Sequence, residues 1–231
     1  MSARQLIVNA DDFGLSHGVN QGVAIAHNRG VVTSASLMVR RPAAEEAAVL
    51  AHSMPELSVG LHVDLSEWTY RDGDWVRVYT FVGDDSSEIA LESRRQLVVF
   101  RSLVGRDPSH LDSHQHVHRS EPVRSVLVDL AAELGVPLRH FTPGIEYRGE
   151  YHGQTRTGEL LPTALTVEAL AVVLRSLVPG TSEIGCHPAF EVDFDSAYGV
   201  ERLVELDVLC SSEIRKVLEV QDIRLVSFDQ L

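Results

Sequence analysis

In the stretch SHLDSHQHVH, Ser109 to His118, four of the chain's eleven histidines (His110, His114, His116 and His118) fall within nine residues, with Asp112 among them. An extended backbone puts Asp112, His114, His116 and His118 on one face, because successive side chains alternate. A helical backbone instead sets His114 and His118 one turn apart on a shared face. Either way several imidazoles share a small volume with a carboxylate. Two neutral imidazoles and one carboxylate are a common donor set for a divalent ion.

Three other short stretches carry similar chemistry: NADDFG with Asp11 and Asp12, VGLHVDL with His62, and GCHPAF with His187. Adjacent carboxylates repel unless something positive separates their roles. A cation does so, with one Asp as ligand and the other free as a base. The plainer alternative is a solvated turn, with Asp12 capping the next helix. A lone histidine after an apolar strand is commonly a satisfied core residue, and His187, beside Pro188, is equally a structural hydrogen-bond partner by itself. The four stretches together say more than any one of them.

The elements that must position these residues alternate steadily. QLIVNA, VVTSASLMV, LSVGLHVDL, the start of the histidine run, VPLRHF, SEIGCHP and IRLVSF read as strands. Helices are expected from Ser16 to a stop at Gly30, from Pro42 through PAAEEAAVLAHSM, over Ser87–Val104, over Glu121–Leu134 with Gly135 as its end, over Thr166–Val178, and over most of Ala197–Val220. Ser66–Ser87 and Thr142–Ala164 read as long loops. Strands alternating with crossover helices imply a parallel sheet covered on both faces. The expected fold is α/β, an irregular (β/α) barrel of about seven parallel strands in a single domain over residues 1–231, with a doubly wound open sheet as its competitor. In both, function gathers at the C-terminal ends of the strands, where Asp11, Asp12, His62, the histidine run and His187 fall.

With 231 residues and 44% hydrophobic content, the chain can bury a sizeable core. A net charge of −13 leaves no basic excess for a nucleic-acid backbone, so no nucleic-acid partner is expected. No apolar run reaches membrane-spanning length, and no secretory leader pattern precedes RQLIVNADD. Two cysteines are too few for a disulfide framework and suit reduced thiols in a cytoplasmic protein. A homodimer is left open.

NADDFG, GLH, HLDSHQHVH and CHP, in this order and spacing over nearly the whole chain, resemble the YdjC-like carbohydrate deacetylases (the ChbG/HpnK group). The resemblance implies an irregular (β/α) barrel that removes N-acetyl groups from amino sugars with a divalent metal ion, Mg²⁺ or Zn²⁺. Carried over by residue, it implies Asp12, His62 and His114 as metal ligands, Asp11 as the base, and His187 as the C-terminal catalytic histidine, which would protonate the leaving amine. Asp112, His116 and His118 then act as supporting or substrate-contacting groups, with His118 as the alternative ligand to His114. Arg139 is expected to orient Asp11 or to bind a substrate oxygen. Trp68, Tyr70 and Trp75 are expected either to stack on sugar rings or to plug their own loop. Two other readings compete: a metal-dependent barrel hydrolase or isomerase with a different small polar substrate, and a metal- or sugar-binding protein without turnover. The last needs neither a base nor an acid.

Overall fold

The computed structural model describes residues 3–155 and 157–231. Its central strand is β1 (Arg4–Phe13), buried along nearly its whole length. Parallel to it run β2 (Ser34–Leu37), β3 (Ser58–Val63) and β6 (Leu111–Ser113) on one side, and β8 (Gly180–Cys186) and β7 (Ile145–Arg148) on the other. The short β9 (Ile223–Leu225) pairs with the first residues of β1. Beyond β6, Leu111 exchanges backbone hydrogen bonds with Pro137 and Arg139 at 2.8 and 3.0 Å. The sheet therefore curls from β7 around to residue 139 without a continuous strand across the gap, an incompletely closed barrel.

Alternation along β1 sorts its side chains. Leu6, Val8 and Ala10 face outward into the main apolar core, beneath α1 (His17–Arg29), α2 (Ala44–Ser53), α3 (Ser86–Val104), α4 (Val123–Leu134), α5 (Val167–Arg175), α6 (Val200–Leu209) and α7 (Ser212–Val220). Ile7, Asn9 and Asp11 face inward. At the floor, Ile7 packs with Val226, Phe228 and Ile145. Above it the interior becomes polar. Room for its rings comes from missing side chains: a Cβ at Gly60 would lie 2.4 Å from the His110 ring, and one at Gly185 would lie 2.7 Å from the Tyr147 hydroxyl.

Several elements differ from expectation. Ser66–Ser87 is mostly an antiparallel hairpin, β4 (Ser66–Arg71) and β5 (Asp74–Thr80), turned by Asp72 and Gly73, both at positive φ. This is the Asp-Gly turn that right-twisted hairpins favour. Tyr70 and Trp75 meet edge to face at 5.5 Å and Arg77 covers Trp68 at 4.6 Å; Trp68 and Tyr70 are half-buried within the hairpin, while Trp75 is 47% exposed. VPLRHF forms no strand beyond its single bridge at Leu138, because the chain turns through His140 at φ 69°. The second expected loop, apart from residue 156, which lies outside the described residues, contains β7. The helix expected over Ala197–Val220 is two, broken at Cys210, with Ser211 capping α7 through its hydroxyl. Among the described residues no helix is long and apolar enough to cross a membrane.

Candidate active site

β1 and β2 lose register between Ala10 and Phe13: β1 spends three residues where β2 spends two. The surplus residue forms a bulge, and Asp12 adopts φ 64°. Simple alternation would send Asp12 outward. The bulge turns it inward beside Asp11, so adjacent carboxylates both reach the interior. Capping of α1 falls to Ser16, whose hydroxyl accepts from Val19 N–H at 3.2 Å.

Asp12 Oδ1 lies 3.4 Å from His62 Nε2 and 3.1 Å from His114 Nδ1. Donor atoms of these three residues fall within 4.8 Å of one another. His62 Nδ1 sits 2.7 Å from Asp112 Oδ1, which fixes the ring and leaves Nε2 facing Asp12. The buried Nε2 of His114 has no hydrogen-bond partner. One carboxylate, two imidazoles and an open nitrogen valence fit a divalent ion. Two other trios of donors also cluster, Asp11–His62–Asp112 and His116–His118–His140. In the first, Arg139 already engages both carboxylates. In the second, both His118 nitrogens are engaged, Nδ1 with Ser113 Oγ at 2.6 Å and Nε2 with the Arg139 carbonyl at 3.2 Å.

The histidine run is neither extended nor helical as a whole. β6 ends at Ser113, and the next six residues form a 3₁₀ segment in which Gln115 and His116 take positive φ. That double reversal separates His114 from His116 and His118, whose ring centroids stay 6.0 Å apart. His114 goes to Asp12, His116 to His140 (3.0 Å), and His118 back under the turn. His110 is buried between Ser36 and Ser109 and stacks on Phe228 at 3.8 Å.

Arg139 grips Asp11 with two parallel hydrogen bonds, 2.6 and 2.7 Å, and reaches Asp112 at 2.9 Å and Glu183 at 2.7 Å. All four side chains are nearly inaccessible. Burial alone pushes the Asp11 carboxyl up, but the guanidinium's charge and hydrogen bonds hold it down at about 2. Burial also opposes ionisation of Asp112, which Arg139 and His62 keep well below the carboxylate range. Burial disfavours the His62 imidazolium, yet Asp112, Asp12 and Asp11 carry its pKa well above the ordinary value. Further around the rim, burial and the field of Arg139 lower His116 to about 2 and, with Asp112 opposing, His118 and His140 to about 4, so these rings are neutral.

Ala10 pairs with Cys186, so Asp11 and His187 leave adjacent strand ends together. The His187 backbone N–H donates to Glu205 Oε2 at 2.6 Å, and its Nδ1 lies 3.7 Å from Glu205 Oε1, an ion-pair contact longer than a hydrogen bond. Tyr198 donates its hydroxyl to the same carboxylate and stacks flat on His152. Burial opposes protonation of His187, but Glu205, with Asp12 and Asp11 behind it, raises its pKa. From α6, Arg202 Nη2 reaches Asp12 Oδ2 at 2.6 Å.

Arg202, Glu205, Glu183, Ser36 and His152 were not among the expected site residues. Arg202 and Glu205 sit three apart on α6, one turn of an ordinary amphipathic helix, and nothing in their own neighbourhood marks them. Glu183, inside the apolar strand SEIGC, is the one with a sequence signal: a charged residue two before Gly185 on a buried strand.

Acid and base side chains thus surround a candidate metal centre at the open end of a curled parallel sheet, an arrangement suited to hydrolysis. The profile of the YdjC-like protein family matches residues 5–220, and the chain belongs to that family. A chitooligosaccharide deacetylase of Escherichia fergusonii is 35% identical over 247 residues, covering 97% of this chain and 98% of its own. The crystal structure of an Enterococcus faecalis protein, proposed to cleave cellobiose phosphate, superposes with a TM-score of 0.76 at 26% identity, covering 99% and 98% of the two chains. A Streptococcus mutans family 4 carbohydrate esterase shares the fold at a TM-score of 0.62 and 12% identity, covering 97% of this chain and 86% of that one.

Proposed function

We propose that residues 1–231 form a single carbohydrate N-deacetylase domain, hydrolysing the acetamide of an amino sugar, with chitooligosaccharide-like glycans as substrates. The observation that carries this reading is the adjacency of three groups: the Asp12–His62–His114 donors, the Arg139-held Asp11, and the Glu205-backed His187. Asp12, His62 and His114 would hold a divalent ion. When bound, it supplies Lewis acidity toward the acetyl carbonyl and toward water, which a base as weak as Asp11 needs. Imidazole donors favour zinc or another transition metal, and the family resemblance adds magnesium.

Asp11, ionised throughout the neutral range, takes the proton of the attacking water as the tetrahedral centre forms. Arg139 keeps the carboxylate from rotating away and keeps Asp112 on His62. His187, whose protonated form Glu205 favours, delivers its proton to the departing sugar amine as the C–N bond breaks. The neutral His140 ring, exposed at the rim and joined to His116 through Nε2, leaves its Nδ1 for sugar hydroxyls. The two unpaired cysteines suit a cytoplasmic setting.

The test is mass spectrometry of products from a panel of N-acetylated mono- and oligosaccharides, with and without added Zn²⁺ or Mg²⁺. Metal-dependent loss of acetyl groups is expected. Unchanged substrates across the panel would overturn the reading.

A further inference from the structure

Glu183 has no role in the chemistry above, yet it is 1% exposed at the centre of the barrel. It faces Ile7 across β1 and Tyr147 across β7, which places it deeper than Asp11 and beyond the reach of any substrate. Its Oε1 accepts from Arg139 Nε–H at 2.7 Å. The guanidinium's other contacts point elsewhere: Nη1 and Nη2 donate to Asp11 Oδ2 and Oδ1, and Nη2 makes an ion pair with Asp112 Oδ2 at 2.9 Å.

A guanidinium is a flat fork with fixed donor directions. Tyr147 covers one face, its ring centroid 5.0 Å from Cζ, but a stacked ring leaves the fork free to turn within its own plane. The paired hydrogen bonds to Asp11 tie the fork to a side chain that can turn with it, whereas the hydrogen bond at Nε anchors it to β8. As a stabiliser Glu183 makes little sense. A third buried carboxylate beside a guanidinium that two others already engage loses more in desolvation and mutual repulsion than it gains.

We infer that Glu183 is a positioning residue: by holding Nε it sets the in-plane rotation of Arg139, which aims Asp11 at its water, while Asp112 stays seated on His62 through Ser36. The inference rests on Asp11 being the base of the proposed reaction.

Glu183→Met fills a similar volume without an acceptor, and Glu183→Gln keeps an oxygen for Nε–H. Both are compared with Arg139→Met and with the Glu183→Met/Arg139→Met double variant. The readouts are acetate release from N-acetylated chito-oligosaccharides, calorimetric Zn²⁺ binding and thermal melting. Glu183→Met is expected to lower kcat by about 10–100-fold, with KM and Zn²⁺ affinity little changed and a Tm no lower than that of the unaltered protein. Glu183→Gln should restore most of the lost kcat. In the Arg139→Met background, Glu183→Met should cost nothing further, because its effect passes through Arg139. Full kcat in Glu183→Met, an undiminished loss in the Arg139→Met background, or parallel losses of kcat and Tm that Gln does not rescue would each overturn the inference. No acetate release by the unaltered protein from any sugar would overturn the deacetylase reading, and this inference with it.

Discussion

The two carboxylate oxygens of Asp12 face different partners: Oδ1 meets His62 and His114, while Oδ2 lies 2.6 Å from Arg202 Nη2. Burial opposes ionisation of this group, and Arg202 with the two imidazoles holds its pKa well below the ordinary carboxylate range. Asp12 is therefore charged and oriented before any ion arrives. Arg202→Met should lower metal affinity by about 10–100-fold and destabilise the metal-free protein, which then buries an unpaired charge. Calorimetric titration and melting curves measure both. Unchanged affinity would leave Arg202 with the fold alone.

His62 gives metal binding a proton cost. Its raised pKa makes it imidazolium at neutral pH, and a ligand needs the lone pair of Nε2. Binding should release about one proton, so affinity rises with pH across the neutral range. Calorimetry in two buffers of different ionisation heat reads this directly. A heat that does not depend on buffer would contradict it.

His114 and His118 should separate cleanly. His114→Ala should lose the ion and all turnover. His118→Ala should keep the ion and lose roughly 1–3 kcal/mol of stability, because Ser113 and the Arg139 carbonyl lose a buried partner. Metal analysis of the two purified variants decides between them. Retention by His114→Ala with loss in His118→Ala would move the ligand to residue 118.

Asp11→Asn should retain metal and lose about 10²–10⁴-fold in turnover. Near-normal turnover would make Asp11 a structural anchor for Arg139 and nothing more.

His187 should matter only where the leaving group is poor. An amide nitrogen must be protonated as it departs, whereas an aryl acetate releases a stable phenolate unaided. His187→Ala should therefore cut N-acetyl sugar hydrolysis by about 10²–10⁴-fold and hydrolysis of an activated aryl acetate far less. Because Glu205 raises the pKa of His187, Glu205→Gln should shift the basic limb of kcat/KM to lower pH. Equal losses on both substrates would mean that His187 does not act as the acid.

What the sequence revealed and what it hid divide along one line: whether a signal is local. QLIVNA announces a central strand, the glycines of GLH and EIG sit two residues from an inward-facing partner, and Gly135 ends its helix in the left-handed region. Asp12, His62 and the histidine run could be placed on one rim because strand ends in a parallel sheet converge, while the choice of His114 within the run rests on the family resemblance. Arg202 and Glu205 could not, since they meet Asp12 and His187 only after the chain has closed on itself. Ser66–Ser87 reads as a loop because of its charged and aromatic residues, and the Asp-Gly turn is the one local signal of the hairpin it forms. The split paths of His114, His116 and His118 depend on two left-handed residues that no periodicity describes.

The left-handed backbone at Asp12 narrows what evolution can write there. Side chains other than glycine lose about 1–2 kcal/mol in that region, with asparagine and aspartate the best tolerated. Asparagine would keep the bend and forfeit the charge. Glutamate would keep the charge, forfeit the bend and overshoot the two imidazoles by a methylene. Glycine would keep only the bend. Of the twenty residues one satisfies both demands, so this position can drift in neither direction.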